Sequence, residues 1–584
     1  MDSKIKVIPL GGVRENGKNM YAVEINDGIY ILDCGLKYPE NELLGIDVVI
    51  PDFSYLKENH ERIVGVFLTH GHADAIGALP YFLSEFNVPV FGSKMTIELA
   101  KISVNESSEA SEFDDFHVVS DRSEIDFEDV RITFFRTTHS IPGSLGIAVH
   151  TEAGAIVYTG DFKFDQTATH LYRTDYSQLT KLGDQGVLAL LSDSSNAENP
   201  APSASENQIS DYIKGVFNDH QGRIIVASVA SNIIRMQQVF DAAAQSGRKV
   251  FLSGKDLDKI VRTALKLSML KLPAPDLLID NVSDLEKIDA AQTVIVQTGK
   301  MGEPIKALQR MANKEEKDIN IEPGDLVFIT TTPSTAMETT VAKTRDMIYR
   351  ADAEVKMISD EMNSAGDASQ NDLQLILNIL KPKFFIPVQG EYRLLSSHAR
   401  LAKQLGYTDD KIIIPSKGDI ISITEDEIWV SGDLDIADTM IDGSGIGDIG
   451  NIVLRDRKVL SEDGIFVAVI TIDRKKKRVI SSPKLTSRGF VYVKANKDLM
   501  NEAAEIIKKT VQNNLENKEF DWSNLKQDVR DDLSDYLYHQ TKRHPVILPV
   551  IMEVNQHHKR TNKKRSKNKS EKPAKADSKE NIDA

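Results

Sequence analysis

The residues with the clearest capacity for chemistry are two histidines and an aspartate in the segment THGHADAIGA, residues 69–78. His70 and His72 lie one residue apart, directly after the apolar run Ile63–Leu68, which predicts a strand. At a strand end this spacing lets both imidazoles reach the same metal ion, and Asp74 is the first acid of the helix predicted to follow. A lone His-x-His pair is more often an ordinary loop than a metal site, so further ligands are needed.

Further residues of metal-binding type follow other predicted strands. They are Asp33 in ILDCG, His139 in RTTHSIPGS after Val130–Arg136, and Asp161 in YTGDF after Ala155–Tyr158. Each signal is weak alone, because an aspartate after a glycine is usually a turn residue. Together they form an ordered set of ligand types at strand ends, with Asp33 placed to brace the site.

Composition limits the class of protein. The chain has 584 residues, of which 41% are hydrophobic and 27% are charged. These values predict a folded protein of several domains and exclude both a small binding module and a largely disordered chain. With no secretory signal and no apolar run of the roughly 18 residues that a spanning helix needs, we expect a cytoplasmic protein without membrane attachment. The single cysteine, Cys34, means that a metal site must use His, Asp and Glu.

Charge is unevenly distributed along the chain. Lys and Arg total 71 against 87 Asp and Glu, which gives a net charge of -16 and argues against a generally basic surface. Residues 556–584 hold ten Lys or Arg and four Asp or Glu, a net charge of +6, which leaves -22 for the rest. This composition predicts a disordered basic tail. A solubilising extension and an RNA tether explain it equally well.

The pattern of apolar runs predicts several domains. Short strands separated by turn residues fill the first part of the chain, with an amphipathic helix predicted at Asp74–Phe86. From about Ser205 a longer helix and strand alternation predicts a doubly wound α/β domain, and a strand–helix–strand pattern resumes near Val355. The glycine-rich residues 442–450 predict a linker. The α+β module after it is predicted to contain strands Gly464–Ile472, Arg478–Ser481, Phe490–Val493 and Val546–Val554 and helices Asp498–Asn514 and Asn524–Lys542.

The ordered Asp and His set resembles that of the metallo-β-lactamase superfamily, in which it binds one or two zinc ions between two sheets. The α/β insertion after SDSSNAENPAPSASE, which contains ASNIIRMQQ (Ala230–Gln238), is similar to the β-CASP nucleases, as is the return segment NSAGDASQ…FFIPVQGEYR (Asn363–Arg393). The opening GGVRENGKNMYAVE and the C-terminal module extend the resemblance to ribonuclease J. It covers nearly the whole chain except the basic tail.

This resemblance implies an α/β fold in three parts: a metallo-β-lactamase αββα sandwich, an inserted β-CASP α/β domain and a C-terminal α+β domain. The expected boundaries are 1–205 and 361–441 for the two parts of the sandwich, 206–360 for the insertion, 442–455 for the linker, 456–555 for the C-terminal assembly domain and 556–584 for the tail.

The resemblance also implies an activity. Ribonuclease J proteins are bacterial metal-dependent ribonucleases with 5'-to-3' exonuclease and endonuclease activity in messenger RNA decay and ribosomal RNA maturation. By the family pattern, His70, His72 and His139 hold a first metal, and Asp161 bridges it to a second metal that Asp74 also binds. Asp74 and Asp161 are therefore the expected catalytic residues. Zinc is the expected ion, with manganese or magnesium as alternatives.

The second half of the site departs from the family pattern. Four positions lack the family's histidine, namely Ala75, Ile234, Asp367 and Gln389. Alanine offers no ligand atom, a glutamine amide is a poor zinc ligand, and an aspartate repels a phosphate. We therefore expect the second metal to bind weakly or not at all, and the isolated chain to have weak or no nuclease activity. The degenerate member of the paired ribonuclease J paralogues, which assembles with an active sibling, has this pattern.

RNA contacts are expected from two segments that hold the terminal phosphate in the family. Here they contain Ser231, Asn232, Asn363, Ser364, Ala365, Gly366 and Asp367. Their hydroxyl, amide and backbone N–H groups are neutral donors, so RNA can still dock without the histidines. Arg235 and Arg393 are consistent with phosphate contacts and equally with ion pairs at a domain junction. The cluster Arg474–Arg478 predicts a hairpin turn more strongly than an RNA-facing patch.

Two functions of different classes remain open. One is a ribonuclease with residual activity on 5'-monophosphorylated or structured transcripts and ribosomal RNA precursors. The other is a structural or regulatory subunit that joins an active ribonuclease J. The expected assembly is a homodimer or a heterotetramer. The missing ligands favour this second function for the isolated chain. A small-molecule hydrolase of the same superfamily is poorly supported, because a β-CASP insertion is typical of nucleic-acid substrates.

Overall fold

The computed structural model describes residues 4–39, 43–285, 287–298, 304–332, 337–364, 366–443, 445–447, 449–517 and 520–554. Ala365 and the tail predicted at 556–584 lie outside these ranges. The chain divides into two compact units, Met1–Ile449 and Gly450–Ala584. Within the described ranges, no helix combines the length and the apolar character needed to cross a membrane.

The first unit begins with short strands and helices that build most of a two-sheet sandwich. In chain order they are β1 (Ile5–Gly11), β2 (Met20–Ile25), β3 (Gly28–Leu32), β4 (Val48–Ile50), α1 (Ser54–Glu58), β5 (Ile63–Phe67), α2 (Ala73–Ile76), α3 (Leu79–Leu83), β6 (Val90–Gly92), α4 (Lys94–Asn105), β7 (Phe116–Val118), β8 (Glu124–Phe127), β9 (Val130–Arg136), β10 (Leu145–Thr151), β11 (Gly154–Tyr158), α5 (Tyr176–Gln185) and β12 (Val187–Asp193).

An α/β layer of parallel strands follows. It contains α6 (Glu206–Asp219), β13 (Ile224–Ala227), α7 (Ile233–Gln245), β14 (Lys249–Ser253), α8 (Lys255–Lys266), β15 (Leu278–Ile279), α9 (Val282–Leu285), β16 (Thr293–Gln297), α10 (Pro304–Ala312), β17 (Leu326–Ile329), α11 (Glu338–Arg350) and β18 (Glu354–Met357). Its strand order is β15-β14-β16-β13-β17-β18, all parallel. Helix α6 begins with a capping box between Ser205 and Gln208, which fixes the entry into this layer.

The chain then returns to the sandwich. The returning elements are α12 (Gln370–Leu380), β19 (Phe384–Val388), α13 (Tyr392–Gln404), β20 (Asp419–Ile423), β21 (Ile428–Asp433), β22 (Thr439–Asp442) and β23 (Gly445–Ile446). Strand β19 pairs in parallel with β12, and β20 pairs antiparallel with β1. The return segment therefore contributes a strand to each sheet, so residues on both sides of the insertion build the sandwich.

The two sheets pack face to face. Their strand orders are β21-β20-β1-β2-β3-β5-β6-β7 and β19-β12-β11-β10-β9-β8. Buried side chains of both sheets, such as Val23 and Ile147, share one apolar core. Helices α3 and α4 pack against the outer face of the first sheet, and α5 and α12 against that of the second. This is the αββα arrangement expected from the sequence, with the parallel insertion between its two parts.

Strand direction brings several loops to one edge of the second sheet. Strands β9 and β11 both run antiparallel to β10, so they point the same way. Strands β12 and β19 run parallel to β11. In the first sheet, β3 and β5 are likewise parallel to each other. The loops after β9, β11, β12 and β19 therefore emerge together, and three of them carry the predicted site residues His139, Asp161 and Gln389.

The second unit is an α+β module with its own core. Its elements are α14 (Asn451–Glu462), β24 (Ile465–Asp473), β25 (Arg478–Val479), β26 (Lys484–Arg488), α15 (Lys497–Glu516), α16 (Trp522–Thr541) and β27 (Val546–Glu553). Strand β24 lies between β26 and β27. Its alternate residues Phe466 and Ile470 are buried with Ile507 and Leu533 of the two long helices. The turn predicted at Arg474–Arg478 joins β24 to β25, as expected.

Three elements differ from their prediction. The helix expected at Asp74–Phe86 is two short helices, because the N–H of Ala78 bonds to the Cys34 carbonyl and Pro80, near the start of α3, has no N–H to donate to a continuing helix. The strand expected at Phe490–Val493 is absent, since β26 ends before the left-handed Gly489. Strand β23 lies within the expected linker, residues 442–455, and helix α14 begins inside it at Asn451.

A buried histidine of helix α13 should make the sandwich less stable at acidic pH. His398 is completely buried, and its Nδ1 lies 3.0 Å from the Ser194 hydroxyl. Burial lowers the pKa of His398 to about 3. As the pH falls below the ordinary value near 6.5, the unfolded chain gains a proton that the folded chain cannot accept, so stability is lost toward acid.

We expect His398→Gln to reduce that loss by about 1.4 kcal/mol between about pH 7.5 and about pH 5.5. Glutamine keeps a polar partner for Ser194 but does not titrate. The measurement is urea unfolding followed by Trp429 fluorescence, with Trp522→Phe as the common background so that only the first unit is observed. Equal pH dependence with and without the His398→Gln substitution would contradict the prediction.

Candidate metal centre

Four predicted ligands meet at the shared edge of the sandwich. His70 and His72 lie in the loop after β5, His139 follows β9, and Asp161 follows β11. One ligand atom from each lies within 4.8 Å of every other. The His139 Nε2 atom is 3.1 Å from His72 Nδ1, and His70 Nε2 is 3.6 Å from Asp161 Oδ2. Three nitrogens and one carboxylate oxygen therefore face a common point, as a tetrahedral metal site requires.

The second nitrogen of each imidazole has an oxygen partner that orients the ring. His139 Nδ1 is 3.1 Å from the Gly366 carbonyl oxygen, which can only accept, so the proton is on Nδ1 and the Nε2 lone pair faces the cluster. His72 Nε2 is 3.4 Å from the Ser140 hydroxyl. The His70 nitrogen that faces the cluster, Nε2, is buried without any hydrogen-bond partner. An unpartnered buried nitrogen facing three other ligand atoms fits a metal ion.

His70 is oriented from behind by a buried aspartate. Its Nδ1 lies 2.9 Å from the Thr69 hydroxyl, which donates to Asp33 Oδ2 at 2.8 Å. Asp33 also accepts the Thr69 backbone N–H and the Tyr158 hydroxyl. The Thr69 hydroxyl donates its proton to Asp33, so it can only accept from His70 Nδ1–H. The lone pair of His70 Nε2 therefore faces the cluster. Asp33 therefore acts on the cluster through Thr69 and is not itself among the converging ligands.

Burial keeps the imidazoles neutral. It lowers the pKa of His72 and of His139 to about 4, and the pKa of His70 well below its usual value. A metal ion therefore meets no competition from protons at neutral pH. Burial acts in the opposite direction on the acids: it raises the pKa of Asp161 well above its usual range, and nearby Asp74 and Asp193 raise it further. Buried carboxyls that repel each other are stabilised by a cation.

The second half of the predicted site has a different structure. Asp74 Oδ1 is 3.7 Å from His70 Nε2, and its Oδ2 accepts a 3.1 Å hydrogen bond from Asn19 Nδ2. Ala75 is fully buried among apolar residues and offers no ligand. Gln389 lies at the end of β19 with a left-handed φ of 55°, and its Nε2 donates to Asp161 Oδ1. An amide donor thus occupies a lone pair of Asp161 that a second metal would use.

The return segment before α12 reaches the cluster through its backbone. The Gly366 carbonyl bonds His139, and Asp367 Oδ1 is 3.9 Å from His139 Nδ1. Ser364 bonds Thr332 at 3.0 Å, whereas the Asn363 amide donates to the Ala201 carbonyl. Gly366 and Asp367 are therefore placed beside the cluster, while the side chains of Ser364 and Asn363 bond to neighbouring loops.

The segment before α7 packs on the other side. The Ser231 backbone forms a hydrogen bond with His72, and this bond opposes the lowering of the His72 pKa by burial. Ser231 therefore lies next to the cluster. The Asn232 side chain accepts the Arg235 N–H and caps the helix. The Ile234 side chain packs in a small apolar cluster with Tyr172, where the family pattern has a histidine.

The two arginines considered for RNA binding are engaged in protein contacts. Arg235 is 2% exposed, and its Nη1 donates to Gln238 Oε1 at 2.6 Å. Gln238 in turn donates to Glu206, which also accepts from Lys163. Arg393 pairs with two glutamates on the surface. Arg235 therefore belongs to a buried polar network between the sandwich and the inserted layer, and sequence reasoning could not separate this from phosphate binding.

Four residues of the site were not predicted from the sequence. Asn19, Thr69 and Ser140 bond the predicted ligands, and Asp193 at the end of β12 is one of the acids that raise the pKa of Asp161. Thr69 and Ser140 adjoin predicted ligands in the chain, and Asp193 begins the motif SDSSN after a strand, so a signal existed for them. Asn19 lies far from Asp74 in the sequence, and no sequence signal pointed to it.

The fold and this cluster define a class: a metal-dependent hydrolase of the metallo-β-lactamase type. Sequence models of four domain families agree with it. The metallo-beta-lactamase superfamily matches residues 13–200, the ribonuclease J beta-CASP domain 221–348, the Zn-dependent metallo-hydrolase RNA specificity domain 355–415, and the ribonuclease J C-terminal domain 452–554. The chain belongs to the ribonuclease J family, as its motifs predicted.

Curated relatives extend over almost the entire chain. Ribonuclease J 2 of Streptococcus pyogenes serotype M3 is 53% identical over 545 residues, covering 93% of this chain and 98% of the relative. Ribonuclease J2 of Bacillus subtilis is 44% identical with the same coverage of 93% and 98%. Ribonuclease J 2 of Staphylococcus saprophyticus is 44% identical over 94% of this chain and 98% of its own.

Proposed function

We propose that this protein is a ribonuclease J of RNA maturation and decay with one intact metal half-site, and that it acts together with an active ribonuclease J. The observation that carries the proposal is the contrast between the two halves. His70, His72, His139 and Asp161 converge within 4.8 Å, whereas the second half has a buried alanine at 75 and an amide at 389 that donates to Asp161.

Zinc is the ion proposed for the first half. Three neutral imidazoles and one carboxylate are a characteristic zinc set, with manganese or magnesium as weaker candidates. When bound, the ion would lower the pKa of a coordinated water and place positive charge beside an RNA phosphate. Of this chain's residues, Asp33 and Thr69 would hold His70 in its ligating tautomer, and Gly366 would do the same for His139.

RNA is the proposed substrate class. The RNA specificity domain match at 355–415 includes Gly366 and Asp367, which lie beside the cluster. The hydroxyl and backbone N–H groups of the segments before α7 and α12 are the neutral donors proposed for a phosphate. Asp367 would repel the same phosphate unless a cation lies between them, which is a second reason to expect slow hydrolysis.

The proposed partner is an active ribonuclease J in the cytoplasm. The relatives named above carry the number 2, as members of a pair would. Where one half-site has lost its ligands, an active sibling can supply the catalysis while this chain contributes RNA contacts and stability to a heterotetramer. A homodimer is the form proposed for the chain alone.

The alternative is a purely structural or regulatory subunit. The observation in its favour is the Gln389 to Asp161 hydrogen bond, because it satisfies an acid that an enzyme would use. Substitution of both His72 and Asp74 in cells separates the two. Loss of RNA processing would support a catalytic contribution by this chain, and unchanged processing with normal complex formation would support the structural role.

In the direct test we expect the isolated zinc-loaded chain to degrade 5'-monophosphorylated RNA at least about 100-fold more slowly than an active ribonuclease J. Degradation should reach the active enzyme's rate only when both proteins are present. Single-turnover assays with added zinc or manganese measure this. Equal rates for the isolated chain and the active enzyme would overturn the proposal, as would the absence of RNA binding.

A further inference from the structure

The second unit has an exposed aromatic and basic surface at the end of helix α16. The rings of Tyr538 and His544 are stacked, with centroids 4.3 Å apart and planes 9° from parallel. The Lys542 Nζ atom lies over the Tyr538 ring, 5.1 Å from its centroid. All three residues are exposed, and the His544 N–H donates to Asp463 Oδ2 at 2.8 Å, which fixes the backbone there. Exposed rings with a cation over them are an arrangement with which proteins hold unpaired bases.

Lys542 occupies a backbone position that favours glycine. It follows the last residue of α16 with a left-handed φ of 58°, and its N–H donates to the Tyr538 carbonyl at 2.8 Å. Glycine adopts this conformation at helix ends without strain, whereas a lysine does not. Ending the helix therefore does not require a lysine at this position. The lysine adds an ammonium group over the stacked rings.

Further cations lie at the same end of the sheet. Arg543 is exposed, and its Nη1 donates to the Phe490 carbonyl at 3.0 Å, just beyond strand β26. Arg488, the last residue of β26, is also exposed. In the part of the chain that the structure describes, no carboxylate forms an ion pair with Lys542, Arg543 or Arg488. These charges are therefore available to a ligand, on a chain whose net charge is -16.

We propose that the surface formed by Arg488, Tyr538, Lys542, Arg543 and His544, the α16 patch, binds single-stranded RNA. The inference rests on the proposed function, because it adds a contact for the same substrate class outside the metal centre. A base would stack on the face of the His544 ring that is turned away from Tyr538, and the phosphates beside it would pair with the cations. The patch would discriminate little between sequences, since stacking accepts every base.

The test is photo-crosslinking of the full-length chain to a single-stranded RNA that contains 4-thiouridine, with the crosslinked residues identified by mass spectrometry. Fluorescence anisotropy at several salt concentrations gives the affinity. We expect crosslinks within residues 531–544 of the α16 patch. Tyr538→Leu should weaken RNA binding about 5-fold or more, because it removes the ring on which the stack is built, and it should leave the salt dependence unchanged.

The cations should change the salt dependence instead. For single strands, each phosphate contact contributes about 0.7 to the slope of the logarithm of affinity against the logarithm of salt concentration. Lys542→Gly together with Arg543→Gln should therefore reduce the size of that slope by about 1.4.

Lys542→Gly alone separates RNA binding from folding. Glycine suits the left-handed position, so the urea midpoint of the second unit should stay the same or rise while the salt slope falls by about 0.7. Trp522 fluorescence in a Trp429→Phe background follows the second unit. A lysine that only stabilises the helix end would give the opposite result, a lower midpoint with unchanged RNA binding, and would contradict the inference.

Two variants serve as matched controls. Lys475→Gln with Lys476→Gln removes two exposed cations from the turn between β24 and β25, and Tyr349→Leu removes an exposed tyrosine from the first unit. Both should keep the affinity and the crosslinks of the unmodified chain. Absence of crosslinks at 531–544, or an equal loss of affinity in the controls, would overturn this inference, while crosslinks near Gly366 would leave the proposed function intact. Absence of any RNA binding by the full-length chain would overturn both.

Discussion

Histidine at positions 75, 234, 367 and 389 is expected to convert the chain into an active ribonuclease. In the variant Ala75→His, Ile234→His, Asp367→His and Gln389→His, the zinc content should rise from about one to about two per chain, because two new imidazoles join Asp74 and Asp161. Hydrolysis of 5'-monophosphorylated RNA should increase by roughly 100-fold or more, since each lost metal partner typically costs about 10-fold to 100-fold.

The structure identifies which of the four changes is easiest to accommodate. Gln389 already contacts Asp161, so an imidazole there replaces a donor with a ligand at the same place. Tyr172, which packs with Ile234, has a buried hydroxyl without a partner, and a histidine at 234 could bond to it. Ala75 is the most demanding position, because it is completely buried in the core beside the Cys34 backbone.

Elemental analysis and single-turnover RNA assays measure this gain. The matched control carries the same four histidines together with His70→Ala, which should bring the rate back to background. If the fourfold variant is folded and binds two zinc ions but remains inactive, the missing histidines do not explain the weak activity that we propose.

The second large effect is expected from the first half-site. His72→Ala should weaken zinc binding about 100-fold or more, because it removes one of the four converging ligands. His72 Nδ1 is 3.1 Å from His139 Nε2, so its loss leaves one side of the cluster empty. The readouts are the zinc content after dialysis and the zinc-dependent rise in melting temperature, which should disappear.

His60→Ala is the matched control for this substitution. His60 is an exposed histidine whose side chain is 65% accessible, so the variant should keep both the zinc and the rise in melting temperature. Retention of zinc by the His72 variant, with the affinity of the unmodified chain, would mean that the ion is held elsewhere. The proposed metal centre would then be wrong.

Elements with a strong local apolar pattern have the bounds that the sequence predicts. The strand ending at Val388 and the helix Ile233–Gln245 have the bounds expected from their apolar runs. A tertiary hydrogen bond overrides the local pattern at Ala78, whose N–H donates to the Cys34 carbonyl and ends the helix that the amphipathic pattern predicted to continue.

The resemblance of its motifs to ribonuclease J predicted the family and the αββα architecture with its insertion, and the residue types available to a metal could be read along the chain. Strand periodicity predicted the sandwich and the α/β insertion, because periodicity is a local property of the chain. The tertiary structure alone decided that Arg235 lies in a buried network and that Asn19 and Gln389 pair with Asp74 and Asp161. Partners such as Asn19 and Asp74 are far apart in the chain, and only the packing of the sheets brings their atoms within hydrogen-bonding distance.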